Sequence, residues 1–282
     1  MKKAAVAVVL LLAALPALAD LLSEERTFRA ERETRLKAEE GWLSLVGLHW
    51  LEPGDTPFGS DPANRVVLTS RGVPPRAGTF VLGAKGVELV EPSGTRRALA
   101  DDASGRPDVL TYGDARLFVI RRGDRYGIRV KDPNAPARLA FTGLPWFPPS
   151  EAWVIRGTFE PYPEPRPLQI PTVLGTTETM LAPGVVRFTV NGTPVSLLPV
   201  VEGPDDDTFW FIFRDGTSGK ETYGAGRFLY GEAVKAGPVT LNFNRAVSPP
   251  CAYTPYATCP LPPKGNVLPV RIEAGEKAAA HP

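Results

Sequence analysis

The chain has 282 residues, and its 32 Lys+Arg against 31 Asp+Glu leave a net charge of +1. With 43% hydrophobic and 22% charged residues, it is neither a disordered polyelectrolyte nor a protein held to nucleic acid by charge. Its 27 Gly and 31 Pro sit between apolar runs, as turn residues do, and the length suits one large all-β domain or two smaller ones.

Lys2 and Lys3 form a basic start, residues 4–15 are apolar, and Ala17-Leu18-Ala19 precedes Asp20. This is the pattern of a secretory signal peptide cut after a small-x-small site. A membrane anchor is the alternative, but the run is short for a span. The expectation is a signal peptide over 1–19 and a mature chain exported to the periplasm or the medium. No Cys follows the apolar run, which excludes a lipoprotein anchor. No other stretch approaches the ~20 apolar residues that a membrane span requires.

Residues 20–41 read as one N-terminal helix. Leu21, Leu22, Phe28 and Leu36 give a narrow apolar stripe on a charged surface. Ser23 followed by Glu24 and Glu25 suits a helix start, Glu25–Arg29 and Glu33–Lys37 are i,i+4 pairs, and Gly41 suits a stop. Sustained heptads are missing, so the helix is expected to pack along the edge of a β structure rather than form a coiled coil.

The remaining stretch, 42–282, reads as β-rich. Residues 41–51 are apolar on both faces of an alternating pattern, as in a core strand leading to a Gly-rich turn. Short strands are expected at 65–69, 79–82, 87–91, 117–121, 126–131 and 137–141. A second series covers 152–159, 168–173, 185–190, 195–201, 208–213, 227–230, 239–245 and 267–272. Asn191-Gly192 is a strong hairpin signal, and Gly123-Asp124 suggests another. Strands at this spacing predict an all-β antiparallel sandwich or barrel-like sheets with one N-terminal helix. The proline-rich 143–150 stretch either joins two β subdomains or crosses over within one compact unit, and the single unit is preferred.

Motifs for known chemistries are missing. There is no G-x-S-x-G nucleophile elbow and no phosphate-binding G-x-x-x-x-G-K-[ST] loop. His49 and the terminal His281 are the only histidines, and a lone His49 between Leu48 and Trp50 suits a packed position as well as a functional one. Cys251 and Cys259 are the only cysteines. In an exported protein an even pair at short spacing predicts a disulfide; two free thiols are the alternative. A metal site would need closer spacing and further ligands, so no metal and no cofactor is expected.

The C-terminal run is the densest in polar and aromatic groups. As a strand, 239–245 would carry Leu241, Phe243 and Arg245 on one face and Asn242 and Asn244 on the other. Buried amides need partners, and Tyr223, Arg227 and Tyr253 lie in neighbouring segments. A rigid loop gathering such groups suits a small-molecule or sugar site, or a structural plug whose polar groups bond internally.

These segments resemble the domain-of-unknown-function 1684 family of bacterial and archaeal proteins. The matching pieces are W-L-x-L-x-G-L-x-W-L at 42–51, T-Y-x-x-G-R-F-L at 222–229, and F-N-R-A…P-P-C-A-Y…C-P-L-x-P at 243–263. Arg129, Asp132, Pro136 and Arg138, before Phe141 and Gly143, look like the family's central segment. The resemblance implies a fold group and candidate positions, not an activity. The family pattern tends to carry Asp at the place of Asn242 and Tyr-Asn at the place of Val247-Ser248. An amide cannot take a proton at neutral pH, so a general base at 242 is not expected.

The leading expectation is a small or carbohydrate-like ligand bound through Tyr223, Arg227, Asn242, Asn244, Arg245 and Tyr253, with His49, Arg129 and Asp132 as secondary candidates. One alternative is a cell-envelope hydrolase using acids such as Asp215 and Glu221, Asp205-Asp206-Asp207 being read as a solvated loop. Another is a structural or interaction module without ligand. Arg227 and Arg245 discriminate among these. A buried guanidinium needs an acid, a carbonyl or a ligand anion, and Asp215, Glu221 and Asp132 are the internal acids to test.

Overall fold

The structure, a computed structural model, describes residues 3–201, 203 and 206–279, with side chains from residue 19 onward. The side chains of most of the expected signal peptide lie outside that set, as do Asp205 and His281. The chain divides into two compact units. One takes Thr34–Thr142 with Tyr253–Tyr256; the other takes Met1–Glu33, Gly143–Ala252 and Ala257–Pro282.

Helix α1 (Lys3–Lys37) is continuous through the expected cleavage site. Arg35 and Lys37 in its last turn complement the negative end of the helix dipole. Gly41 closes the exit tightly, because a Cβ there would stand 2.4 Å from the carbonyl oxygen of Leu36.

The 34–142 unit holds nine strands: β1 (Leu45–Trp50), β2 (Gly54–Gly59), β3 (Val66–Val67), β4 (Gly78–Gly83), β5 (Gly86–Val90), β6 (Arg96–Ala98), β7 (Leu110–Tyr112), β8 (Ala115–Arg122) and β9 (Arg125–Lys131). They form two sheets, β1-β9-β8-β7 and β3-β2-β4-β5-β6. All pairs are antiparallel except β2–β3. Both sheets feed one apolar core containing Phe58, Phe80, Leu89, Leu117 and Ile128. The Phe58 and Phe80 rings stack at 4.2 Å. Residues 137–141, expected as a strand, instead hold the one-turn helix α2 (Pro136–Leu139). Pro136 opens it, where a missing N–H costs no hydrogen bond.

The second unit carries β10 (Val154–Pro171), β11 (Thr177–Val190), β12 (Thr193–Leu197), β13 (Thr208–Phe213), β14 (Arg227–Glu232) and β15 (Gly237–Asn242). The sheet order is β12-β11-β10-β15, with β13–β14 as a separate hairpin. Phe159, Phe188, Phe209, Phe211, Phe213 and Phe243 fill the core that these elements share. Asn191 (φ 48°) and Gly192 (φ 81°) turn β11 into β12 with both residues at positive φ, as a two-residue primed turn requires. The fold is thus mostly β, in antiparallel sheets with the N-terminal helix, and the sheets do not close into a barrel.

Two expected strands change character here. The strand at 239–245 stops at Asn242, and Phe243–Arg245 forms a 3-10 turn. The Asn242 side chain accepts from the Asn244 N–H at 3.1 Å, a local bond that competes with the ladder. Residues 267–272 form no strand, only an isolated bridge between Arg214 and Val267.

Candidate functional site

β14 begins at Arg227, whose side chain is 0% exposed. Opposite it in the ladder stands Phe213, and the guanidinium lies 5.2 Å from that ring. Burying this cation is costly unless its donors are used. Protein takes both Nη groups, while the buried Nε has no hydrogen-bond partner: one Nη donates to the carbonyl oxygen of Ala274. The other donates to Ile272 O at 3.0 Å and to Asp215 Oδ1 at 3.4 Å. Burial lowers the Arg227 pKa, while Asp215 and then Glu276 pull it back up.

Asp215 is equally enclosed, with its side chain 0% exposed. Its Oδ1 also accepts from the Thr217 hydroxyl at 2.8 Å, and its Oδ2 from the Ile272 N–H at 2.6 Å. Thr217 shares a further hydroxyl bond with Thr222 at 3.0 Å. The carboxylate thus organises a turn, a backbone segment and the Arg at once. Of the other acids considered, Glu221 is held by Arg271 at 2.6 Å, which lowers its pKa. Asp132 accepts from the Asn134 N–H at 2.7 Å, a local turn bond.

Arg245 goes elsewhere. Its Nε donates to Glu25 Oε1 at 2.8 Å and its Nη2 to Glu24 Oε2 at 3.1 Å, both on α1. Asn242 Nδ2 donates to the same Glu25 oxygen at 2.8 Å. Asn244 bridges to Ser150, donating to its O at 2.9 Å and accepting from its N–H at 3.0 Å. Asn242, Asn244 and Arg245 are therefore brought together, but around a helix carboxylate, and Arg227 has a separate set of partners.

The inward face of α1 explains this. Glu25 is fully buried, and Arg29, Arg32 and Glu33 follow on the same face at helical spacing. Arg29 donates to Phe147 O at 2.9 Å and stacks 4.8 Å from the Trp146 ring. Arg32 donates to Ser248 O at 2.8 Å and stands 3.5 Å from Glu276, itself 1% exposed. Glu33 accepts from the Leu144 N–H at 3.0 Å. Leu22, expected on the apolar stripe, is exposed instead. Sequence reasoning missed Glu25, Arg32 and Glu276; the available signal was the Glu/Arg alternation at helical spacing, which also describes a solvated face.

The expected disulfide is not formed. Cys251 and Cys259 are free, with sulfurs near 3.3 Å against about 2.05 Å for a bond. The sulfur of Cys259 instead accepts from the Cys251 N–H at 3.1 Å. The thiol hydrogen bond with Cys259 lowers the Cys251 pKa. Tyr223 donates to Cys251 O at 3.0 Å, and burial chiefly raises its phenol pKa. The secondary candidates fall in the 34–142 unit. Arg129 lies 5.2 Å from the Trp42 ring, and burial lowers the pKa of His49 on β1. Tyr253 clusters with that unit too. Among the described residues no group of three or more His, Cys, Asp or Glu is placed to hold a metal, and no helix is long and apolar enough to cross a membrane.

The chain matches the family described as Protein of unknown function (DUF1684) over residues 139–277. That range takes in β10–β15 and both C-terminal motifs, and leaves α1 and the 42–51 segment outside. Among solved structures the chain is similar to the uncharacterized protein from gene locus rrnAC0354 of Haloarcula marismortui, determined by solution NMR. The identity is 30% over 50% of this chain and 78% of that one, with a TM-score of 0.43. No curated protein matches.

Proposed function

The chain belongs to the DUF1684 family, and we propose that the family's C-terminal motif serves here as an ion-paired scaffold, the protein acting as an exported interaction module rather than an enzyme. The observation that carries this reading is Arg227. Its side chain is 0% exposed; Asp215, Ile272 O and Ala274 O take its two Nη groups, and the Nε, without a partner, is enclosed with them. A ligand anchor would present open donors to a pocket. Arg245 and Asn242 converge on Glu25 in the same manner. The hydrolase alternative needs acids at working distance around an open site. Asp215 is enclosed, and Glu221 is held by Arg271.

The test is Arg227→Met, followed by near-UV circular dichroism and chemical unfolding. The scaffold reading expects a marked loss of stability. A variant as stable as the wild type would return the motif to the ligand-site reading. Export rests on Lys2, Lys3, the apolar run and the Ala17-Leu18-Ala19 site. Intact mass of the protein recovered from periplasm or medium is expected to begin at Asp20, and a form there retaining 1–19 would defeat it.

A further inference from the structure

Cys251 and Cys259 are held side by side by bonds that do not involve sulfur. Cys251 lies in a 3-10 turn, Pro250–Ala252. There the Ala252 N–H donates to Pro249 O at 2.9 Å, and the Tyr223 hydroxyl donates to Cys251 O at 3.0 Å. Cys259 is stitched to the chain just past β10: the Val173 N–H donates to Cys259 O at 3.0 Å, and the Leu261 N–H to Pro171 O at 2.7 Å. Pro249 and Pro250 precede the first cysteine and Pro260 follows the second, which narrows the backbone at both. The sulfurs therefore meet near 3.3 Å because the backbone puts them there.

The two thiols are not equivalent. Cys259 is 4% exposed, whereas Cys251 is only partly buried. A fully buried thiol packs as a small inert hydrophobe, and that describes Cys259 alone. Cys251 is within reach of solvent, and its hydrogen bond with Cys259 is the leading cause that holds its pKa below the ordinary value. The thiolate is the nucleophile in disulfide exchange. Behind it, the Cys251 N–H donates to the Cys259 sulfur at 3.1 Å, and a donor in that place steadies negative charge on the sulfur as its proton leaves. One cysteine is thus open to attack an incoming molecule, and the other stands ready to displace what the first has captured.

We infer that Cys251 and Cys259 form a thiol–disulfide exchange site for small disulfides, with Cys251 attacking and Cys259 resolving. Cys251 gives its proton to water, and its sulfur bonds to one sulfur of the incoming disulfide. The S–S bond of that molecule breaks, and its other half leaves as a thiolate that takes up a proton. Cys259 then attacks the Cys251 sulfur, and the second small thiol is expelled with the Cys259 proton. The pair is oxidised by two electrons to a disulfide, and one small disulfide is reduced to two thiols. Small thiols in excess drive the same steps backward. The partial exposure of Cys251 suits a small disulfide, which can reach a sulfur that is half covered. The inference uses none of Asp215, Arg227 and Glu25, so it is independent of the scaffold reading, and either can fail alone.

The probe is oxidised glutathione, mixed with the reduced, folded full chain, quenched with acid and read by intact mass. The wild type is expected to lose two hydrogens, and excess reduced glutathione is expected to restore both thiols. Cys259→Ser is expected to stop at a glutathione adduct on Cys251. Cys251→Ser is expected to form its adduct roughly tenfold or more slower than Cys259→Ser, because its remaining sulfur is buried and less ionised. In the wild type, with no substitution made, limiting iodoacetamide followed by peptide mapping is expected to label Cys251 roughly tenfold faster than Cys259 for the same reason. A bond that excess reduced glutathione leaves closed is a structural cross-link and overturns the assignment. So does a folded wild type that oxidised glutathione leaves unchanged, equal labelling of the two thiols, or Cys251→Ser reacting as fast as Cys259→Ser.

Discussion

The 34–142 unit encloses Phe58, Phe80, Leu117 and Ile128 at 0% exposure in an apolar core, and buries a single charged side chain, Arg129, beside the Trp42 ring. The unit that carries the family motif has an apolar core of similar make-up, yet beside it buries Glu25, Asp215, Arg227 and Glu276. The first interior is held by area removed from water, which is non-directional and tolerates repacking. The second adds groups that are stable only with specific partners. A family signature can therefore mark a place where an error in pairing is costly, with no chemistry performed there.

The sharpest way to break this contrast is Arg227→Met. It leaves Asp215 charged and buried, so about 3–5 kcal/mol of stability is expected to be lost, measured by denaturant unfolding. Adding Asp215→Asn should recover part of that loss, because the orphan charge goes. Absence of any recovery would show that the pair is not the unit of stability. Leu117→Ala in the apolar interior is expected to cost about 3 kcal/mol through lost transfer energy and a cavity. There a second-site charge change should recover nothing. Equal rescue in both units would erase the distinction.

The smallest effect is a pH slope. Burial holds the His49 imidazole below its ordinary value, so the folded state favours the neutral ring. The unfolded chain takes up the proton near pH 6.5. The contribution of His49 is therefore complete above about pH 6.5 and is lost as pH falls through that value toward the lower folded pKa. His49→Gln is expected to flatten the fall in Tm between about pH 7.5 and 5.5. A wild-type slope that survives this change would assign it to other groups.

Much of the β architecture is legible from local signals. Asn191-Gly192 marks the β11–β12 turn because few other pairs accept two positive φ values. The core strands β8, β9 and β13 follow from their apolar runs. β10 is split by the sequence reading into 152–159 and 168–173, yet its pairing with β11 resumes at Arg166 beyond the prolines and runs on to Pro171. The site is less legible for a reason of distance. Glu25 and Asn242 are 217 residues apart, and a helix face of Glu and Arg reads as solvated until its partners are known. The need of Arg227 for an acid is visible in β14 itself, and Asp215, 12 residues away, is within reach of sequence reasoning.

The alternate prolines of β10 have a consequence for how copies of this chain meet. A strand margin with regular N–H groups is a template for recruiting another strand, the first step toward aggregates with a cross-β spine. From Pro161 to Pro167 every second residue is Pro, so four of those seven donors do not exist. The segment resists self-recruitment through its covalent structure, whatever the salt or pH, and continues to do so when the protein is only partly folded.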